Sequence, residues 1–201
     1  MKKNLRFNLI KSFLKDKNVL DIGAANISVS GISFHKLISD VSKKTIGIDI
    51  NKKDIEKFEK MGYDVRFGDA TNFDIEEKFD VVFAGEIIEH LSNLDGFIKS
   101  VKRHMRKNSL FIITTPNYLC LKFILKETLL KKPKTNPQHV CCFDEHTLRN
   151  LLEENGFIIV DIKYVSFEKW GKLSKCLPVP KKIKHDDLIV FCKLGDERNE
   201  K

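Results

Sequence analysis

Val19-Leu20-Asp21-Ile22-Gly23-Ala24-Ala25-Asn26 is the stretch whose reading decides the fold. An apolar run broken only by Asp21 leads into a turn of glycine and small side chains. That is the pattern of a buried strand opening into a loop that feeds a helix. Three acidic signals follow at intervals: Ile48-Asp49, Gly68-Asp69-Ala70 and Gly85-Glu86-Ile87-Ile88-Glu89-His90. Each stands just past a short apolar segment.

Working outward, strands and helices alternate. Leu5 to Leu14 has helical spacing and makes a leading helix within residues 1–16. Asn18 to Ile22 reads as the first strand, Gly31 to Ile38 as a helix, and Thr45 to Ile50 as the second strand. Asn51 can cap the next helix and Gly62 can end it. Tyr63 to Phe67 and Phe79 to Ala84 are the third and fourth strands. The nearly continuous apolar character of the fourth implies burial on both faces. A helix from Leu94 to Arg106, a strand from Ser109 to Thr115 and a helix from Asp144 to Asn155 follow, then strands at Phe157 to Val165 and Leu188 to Lys193. Pro178 and Pro180 mark a loop. Such an order predicts one α/β domain over residues 1–201, a three-layer Rossmann-like sandwich on a seven-stranded, mostly parallel sheet. Acids at successive strand ends fit a nucleoside cofactor lying across the carboxyl edge of such a sheet.

Composition narrows the class. No apolar run reaches the roughly 20 residues a membrane span needs, and the basic start at Met1-Lys2-Lys3 has no apolar core behind it, so a cytoplasmic protein is expected. The net charge of +8 would attract a polyanion or an anionic membrane, but no RNA-binding module accompanies it, which favours a lysine-rich solvated surface. The five cysteines show no C-x-x-C or zinc spacing; reduced thiols are expected, with Cys142 and Cys192 as small buried hydrophobes. His35, His104, His146 and His185 read as surface residues.

Two clusters carry chemistry. If Glu86 to His90 is helical, Glu86, Glu89 and His90 share one face, and two carboxylates with an imidazole suit a divalent cation. Asn136-Pro137-Gln138-His139-Val140 offers a further ligand. Without a metal, His90 or His139 can serve as a general base. Beyond the fifth strand, Asn117 and Tyr118 are candidates to touch a substrate, although Pro116-Asn117 also favours a plain turn. Residues 117–140 contain the apolar, basic-ended run Leu119 to Lys132, which suits a lid, a helix packed on the sheet, or contact with a lipid surface. Residues 194–201 form a charged tail expected to be flexible.

Seven strands with these acids resemble the class I S-adenosylmethionine-dependent methyltransferases over roughly residues 17 to 193. The resemblance implies an antiparallel final strand and S-adenosylmethionine as cofactor. It implies a cofactor site at Asp21, Gly23, Ala24, Ala25, Asp49, Ile50, Asp69, Ala70, Gly85 and Glu86. Within it, Asp49 would hold the ribose hydroxyls, Asp69 and Ala70 the adenine, and Asp21 the turn beneath the methionine amine. The family's glycine-rich loop carries three glycines where this chain has Gly23, Ala25 and Ile27; a β-branched residue at the third resists close backbone approach. A dinucleotide loop would need glycines at Ala25 and Ser28. The E-x-x-E-H run with a distant histidine resembles two branches, one acting on catechol-type hydroxyls in quinone biosynthesis, the other on the terminal 2′-hydroxyl of small RNAs. Carried over, Glu86, Glu89, His90 and His139 are candidate ligands for Mg²⁺, Mn²⁺ or Zn²⁺. The expectation is O-methylation of a small-molecule, glycan or lipid-linked acceptor; the alternatives are an RNA-directed enzyme, or a binding domain of the same fold without catalysis.

Overall fold

The computed structural model describes residues 5–26, 33–129, 136–166 and 178–195. Ile27 and Ser28, the run Lys131-Lys132-Pro133-Lys134, Cys176 and the tail beyond Gly195 lie outside the described residues. The elements in chain order are α1 (Leu5–Leu14), β1 (Asn18–Ile22), α2 (Phe34–Ser39), β2 (Lys44–Asp49), α3 (Lys52–Lys60), β3 (Val65–Phe67) and β4 (Phe79–Gly85). A single 3₁₀ turn (Ile88–His90) precedes α4 (Leu94–Arg103), β5 (Met105–Pro116), α5 (Leu121–Leu129), α6 (Glu145–Glu154), β6 (Phe157–Val165), α7 (Lys181–Lys184) and β7 (Asp187–Leu194).

The seven strands form one sheet in the order β3-β2-β1-β4-β5-β7-β6. β1 pairs in parallel with β2 and β4, and β3 in parallel with β2. β7 runs antiparallel to both of its neighbours, β5 and β6. Contacts divide the chain into two compact units, Met1–Gly85 with Asn93–Ile112, and Glu86–Ser92 with Ile113–Lys201. The long strand β5 contributes to both.

In the first unit, Val19, Leu20 and Ile22 of β1 are fully buried between strands that are themselves apolar. Each such side chain contributes roughly 1.5–3 kcal/mol through removal from water. The two alanines of the loop after β1 explain themselves by packing: Ala24 and Ala25 join Ile55, Phe58 and Val65 in one buried cluster. β2 approaches that loop closely, since a Cβ at Gly47 would sit 2.6 Å from the Cβ of Ala24.

Several boundaries differ from expectation for local reasons. The helix expected from Gly31 is described from Phe34, where the Ser33 side chain accepts from the amide of Lys36. The helix expected to reach Arg106 stops at Arg103, because the His104 amide already bonds back to Lys102 and Val101, and β5 starts at Met105. The loop expected around Pro178 and Pro180 contains one helical turn, which Pro180 precedes with its fixed φ of −55°.

In the second unit, Asp144 caps α6 with a reciprocal bond pair: Thr147 N–H to the Asp144 carboxylate at 2.8 Å, and Asp144 N–H to Thr147 Oγ1 at 3.0 Å. α5 leaves Ile124, Leu125 and Leu129 exposed, and Leu119 just ahead of it as well. Among the described residues no helix is long and apolar enough to cross a membrane.

Candidate functional site: a nucleoside rim and an acid–histidine cluster

The first unit gathers the acids of the expected cofactor rim. Gly23 turns the chain out of β1 at φ 80°, a conformation natural to glycine, and its amide and that of Ala24 both donate to the carbonyl of Ile48 at 2.8 and 3.1 Å. This ties the loop to the end of β2. Asp49 then accepts from two backbone amides, Ala25 N–H at 2.9 Å and Asn51 N–H at 2.8 Å. Its carboxylate is therefore locked in direction before any ligand arrives. Beside it Ile50 is 66% exposed, an apolar face at a polar rim. An anchored carboxylate next to a bare aliphatic side chain matches an adenosine, which offers ribose hydroxyls to the one and a flat ring to the other. The residues present fit the cofactor on that ground. Asp69 is exposed and accepts from Thr71 N–H and Thr71 Oγ1, at 2.8 and 2.9 Å, while Ala70 is buried.

Asp21 is placed differently. It is buried, and its carboxylate lies 2.9 Å from Nδ1 of His35, itself buried. Expected at the surface, His35 instead sits between the ring edges of Phe58 and Tyr63, with centroids 5.8 and 5.7 Å away. The pair joins the end of β1 to the first turn of α2. His104, also expected at the surface, is buried too, and Cys142, expected inside, is exposed. Cys142 stands next to Phe143, whose side chain takes the inward position, so the run Cys141-Cys142-Phe143 presents its bulkier apolar group to the core. Cys192 lies in the buried strand β7, where desolvation pushes its thiol pKa up.

The second unit holds the acid–histidine cluster, and the segment is not a regular helix. Glu86, directly after β4, has φ 54°, a left-handed conformation that costs a non-glycine residue about 1–2 kcal/mol. It is held there by bonds to one residue of β5: its amide donates to the Thr114 carbonyl at 3.0 Å and its carboxylate accepts from Thr114 Oγ1 at 2.9 Å. Only Ile88–His90 forms a 3₁₀ turn, so the expected common face of Glu86, Glu89 and His90 is broken. What comes together is Glu89, His90 and His139, whose ligand atoms all lie within 4.8 Å of one another. Glu86 falls outside that set.

Each member is oriented by a neighbour. Glu89, 1% exposed, accepts from Thr115 Oγ1 at 3.0 Å. His90 Nδ1 lies 3.1 Å from the carbonyl of Gln138. A carbonyl only accepts, so Nδ1 carries the proton and the lone pair is on Nε2. His139 Nδ1 lies 2.9 Å from the hydroxyl of Tyr118, whose ring stacks on Phe123. The two imidazoles meet edge to face, with centroids 4.7 Å apart. The His139 loop is pinned by the amides of Val140 and Cys141, which both donate to the Glu89 carbonyl, at 2.8 and 3.1 Å. Burial, then the neighbouring His90, lower the pKa of His139, and Glu86 opposes them. The imidazole is therefore neutral near neutrality, able to take a proton or bind a cation. Two imidazoles and a buried carboxylate are a donor set for a borderline divalent ion.

Asn117, the other candidate to touch a substrate, has its side-chain amide engaged within the protein. It is buried, and its Nδ2 donates to the carbonyls of Lys182 and His185, at 2.6 and 2.8 Å. It braces α7 against the end of β5. Sequence reading missed Thr114, Thr115 and Gln138, which orient the cluster. The pair of adjacent threonines at the end of a buried strand was the available signal.

A methyltransferase-domain model matches residues 1–162, and the chain belongs to that family. Among curated relatives, the ubiquinone biosynthesis O-methyltransferase of Pelagibacter ubique is 30% identical over 122 residues, covering 56% of this chain and 51% of that protein. A probable S-adenosylmethionine-dependent methyltransferase of Mycolicibacterium smegmatis is 28% identical over 128 residues, covering 62% of this chain and 48% of that protein. The chain thus spans about half the length of the curated relatives it matches. The solved methyltransferase of Archaeoglobus fulgidus superposes with a TM-score of 0.69 at 22% identity, over 94% of this chain and 91% of that one. At that identity the likeness concerns the fold.

Proposed function

We propose that the protein methylates a hydroxyl of a small-molecule acceptor, with Asp49 and Asp69 among the residues that hold the cofactor and with Glu89, His90 and His139 as the group that holds the acceptor oxygen. The convergence of these three side chains from two segments fifty residues apart is the observation that carries the reading. The named activity of the Pelagibacter ubique relative on oxygen supports it.

When bound, S-adenosylmethionine supplies an electrophilic methyl group and a divalent cation lowers the pKa of an acceptor hydroxyl. The chain's own residues do the rest. Asp49 receives the ribose hydroxyls, Ile50 covers one face of the base, and Asp69 with the Ala70 amide meets its polar edge. Glu89, His90 and His139 would hold the cation, with Gln138, Thr115 and Tyr118 fixing their orientation. Where no cation is bound, His139, neutral through burial, is instead the candidate acceptor of the hydroxyl proton. The exposed leucines and isoleucine of α5 and its approach favour an acceptor with an apolar tail over a polyanion, since an extended apolar patch gives no grip on phosphates.

The test is a methyl-transfer assay with catechol-type diols, with and without added Mg²⁺, Mn²⁺ or Zn²⁺. Turnover that requires the ion, and that Glu89→Gln abolishes while calorimetric cofactor affinity holds, is expected. Turnover indifferent to a chelator would remove the metal from the reading.

A further inference from the structure

The described loop between β3 and β4 is held to α4 at both ends of the helix. At the N-terminal end, a Cβ on Gly96 would lie 2.6 Å from the carbonyl oxygen of Thr71, so only glycine permits this approach. At the C-terminal end, Arg103 Nη1 donates to the Phe73 carbonyl at 3.1 Å, and the Phe73 ring stacks on His104 with centroids 4.5 Å apart.

His104 makes two bonds that together determine its protonation. Nδ1 lies 2.7 Å from the Ser100 carbonyl, and Nε2 lies 3.2 Å from the amide nitrogen of Ile75. The carbonyl only accepts and the amide only donates, so the ring is neutral, with its proton on Nδ1 and its lone pair facing Ile75. A second proton would have to enter at Nε2, where it would meet the Ile75 N–H head-on. The charged groups facing the ring are Asp74, whose Oδ1 is 3.7 Å from Nε2, and the cations Arg103 and Lys78. Asp74 is the acceptor to which a protonated Nε2 would turn.

We propose that His104 is a positioning residue for the adenine edge of the cofactor site: its neutral ring clips the segment Asp69–Ile75 to the end of α4, and uptake of a proton releases that segment and weakens cofactor binding. The link to affinity rests on the reading that Asp69 and Ala70 meet the adenine; the clip itself does not. Burial lowers the pKa of His104, and although the Ser100 bond and Asp74 oppose it, the net direction is down. The sign follows. A group with a depressed folded pKa contributes stability that is present above its unfolded value and lost as the pH falls through the folded one. The clip is therefore closed at neutrality and opens on acidification.

Two readouts separate the clip from the cofactor reading. The first is hydrogen exchange of residues 69–76 in the ligand-free protein, corrected for intrinsic rates, between about pH 8 and about pH 5. Protection should collapse with acid in the wild type and persist in His104→Gln, whose amide oxygen can accept from Ile75 without titrating. The second is the dissociation constant of S-adenosylhomocysteine over the same range, which should rise at least about fivefold in the wild type and stay flat in His104→Gln. Should that variant misfold, Asp74→Asn serves: the His104 titration followed by NMR should move to lower pH, and the exchange midpoint with it. Equal acid response in wild type and His104→Gln overturns the proposal, as does opening of the segment with unaltered affinity. A wild type that never binds S-adenosylhomocysteine would overturn the adenine assignment, while the exchange arm still decides the clip.

Discussion

The acids of the proposed cofactor rim and those of the acid–histidine cluster are held by different means. In the first unit, Asp49 is fixed by backbone amides from residues 25 and 51, and Asp69 by its near neighbour Thr71. In the second, Glu86 and Glu89 are fixed by the hydroxyls of Thr114 and Thr115, and His139 by Tyr118. Backbone-held groups depend on the path of the chain and little on neighbouring side chains. Side-chain-held groups depend on each partner's identity. The rim should therefore tolerate substitution around it but not at its acids, whereas the cluster should respond in steps as its supports are removed.

The sharpest test of that contrast is at the cluster. His139→Ala, which removes a proposed cation ligand or, where no cation is bound, the candidate base, should lower kcat by about 10²–10⁴-fold and leave cofactor affinity within about twofold, read by steady-state kinetics beside calorimetry. A parallel loss in both would merge the two regions into one functional block. Asp49→Ala comes next. It orphans two backbone amides and removes the ribose acceptor, and should weaken cofactor binding by about 30- to 100-fold, roughly the 2–3 kcal/mol of charged hydrogen bonds. Unaltered affinity in calorimetry would overturn the ribose assignment.

Removing only a support should cost less. Tyr118→Phe keeps the stacked ring but deletes the hydroxyl beside His139, and should reduce kcat by about 10-fold with the cofactor dissociation constant unmoved. The smallest effect concerns pH. Because burial and His90 lower the pKa of His139, activity should hold on the acid side past the ordinary histidine value of about 6.5 and decline as the pH falls through the lowered one. In Glu86→Gln the acid limb should move to still lower pH, since the carboxylate that favours the imidazolium is gone. A limb that stays in place would remove His139 from the proton path.

Legibility in sequence tracks the same division. The strand-turn at Val19 to Gly23, the cap at Asn51, the stops at Gly62 and Gly156, and the buried run of β4 depend on period and turn chemistry within a few residues, and all are observed. The helix ends at His104 and before Phe34 were missed because a cap or a packed ring, rather than propensity, ends those segments. His35 and His104 sit among polar neighbours in the chain, so their burial is invisible locally. Each bonds inside to a partner from another segment, Asp21 at Nδ1 of the first and Ile75 at Nε2 of the second. At the cluster, the residue types at Glu89, His90 and His139 were legible, but their assembly was not. The expected helical face fails because Glu86 turns left-handed to bond β5.

The sequence by itself determined the alternation of strands and helices and the acids at the strand ends, since each follows from side-chain periodicity and from turns a few residues long; the family was legible as a resemblance carried by those acids. Tertiary structure alone decided which acids stay accessible and which are consumed inside. It placed Asp21 against His35, gave Asn117 to two carbonyls, and brought His139 to Glu89 across a separation of fifty residues. The reason is physical: a buried polar group must find its partner wherever the fold supplies one, and sequence distance does not enter that requirement.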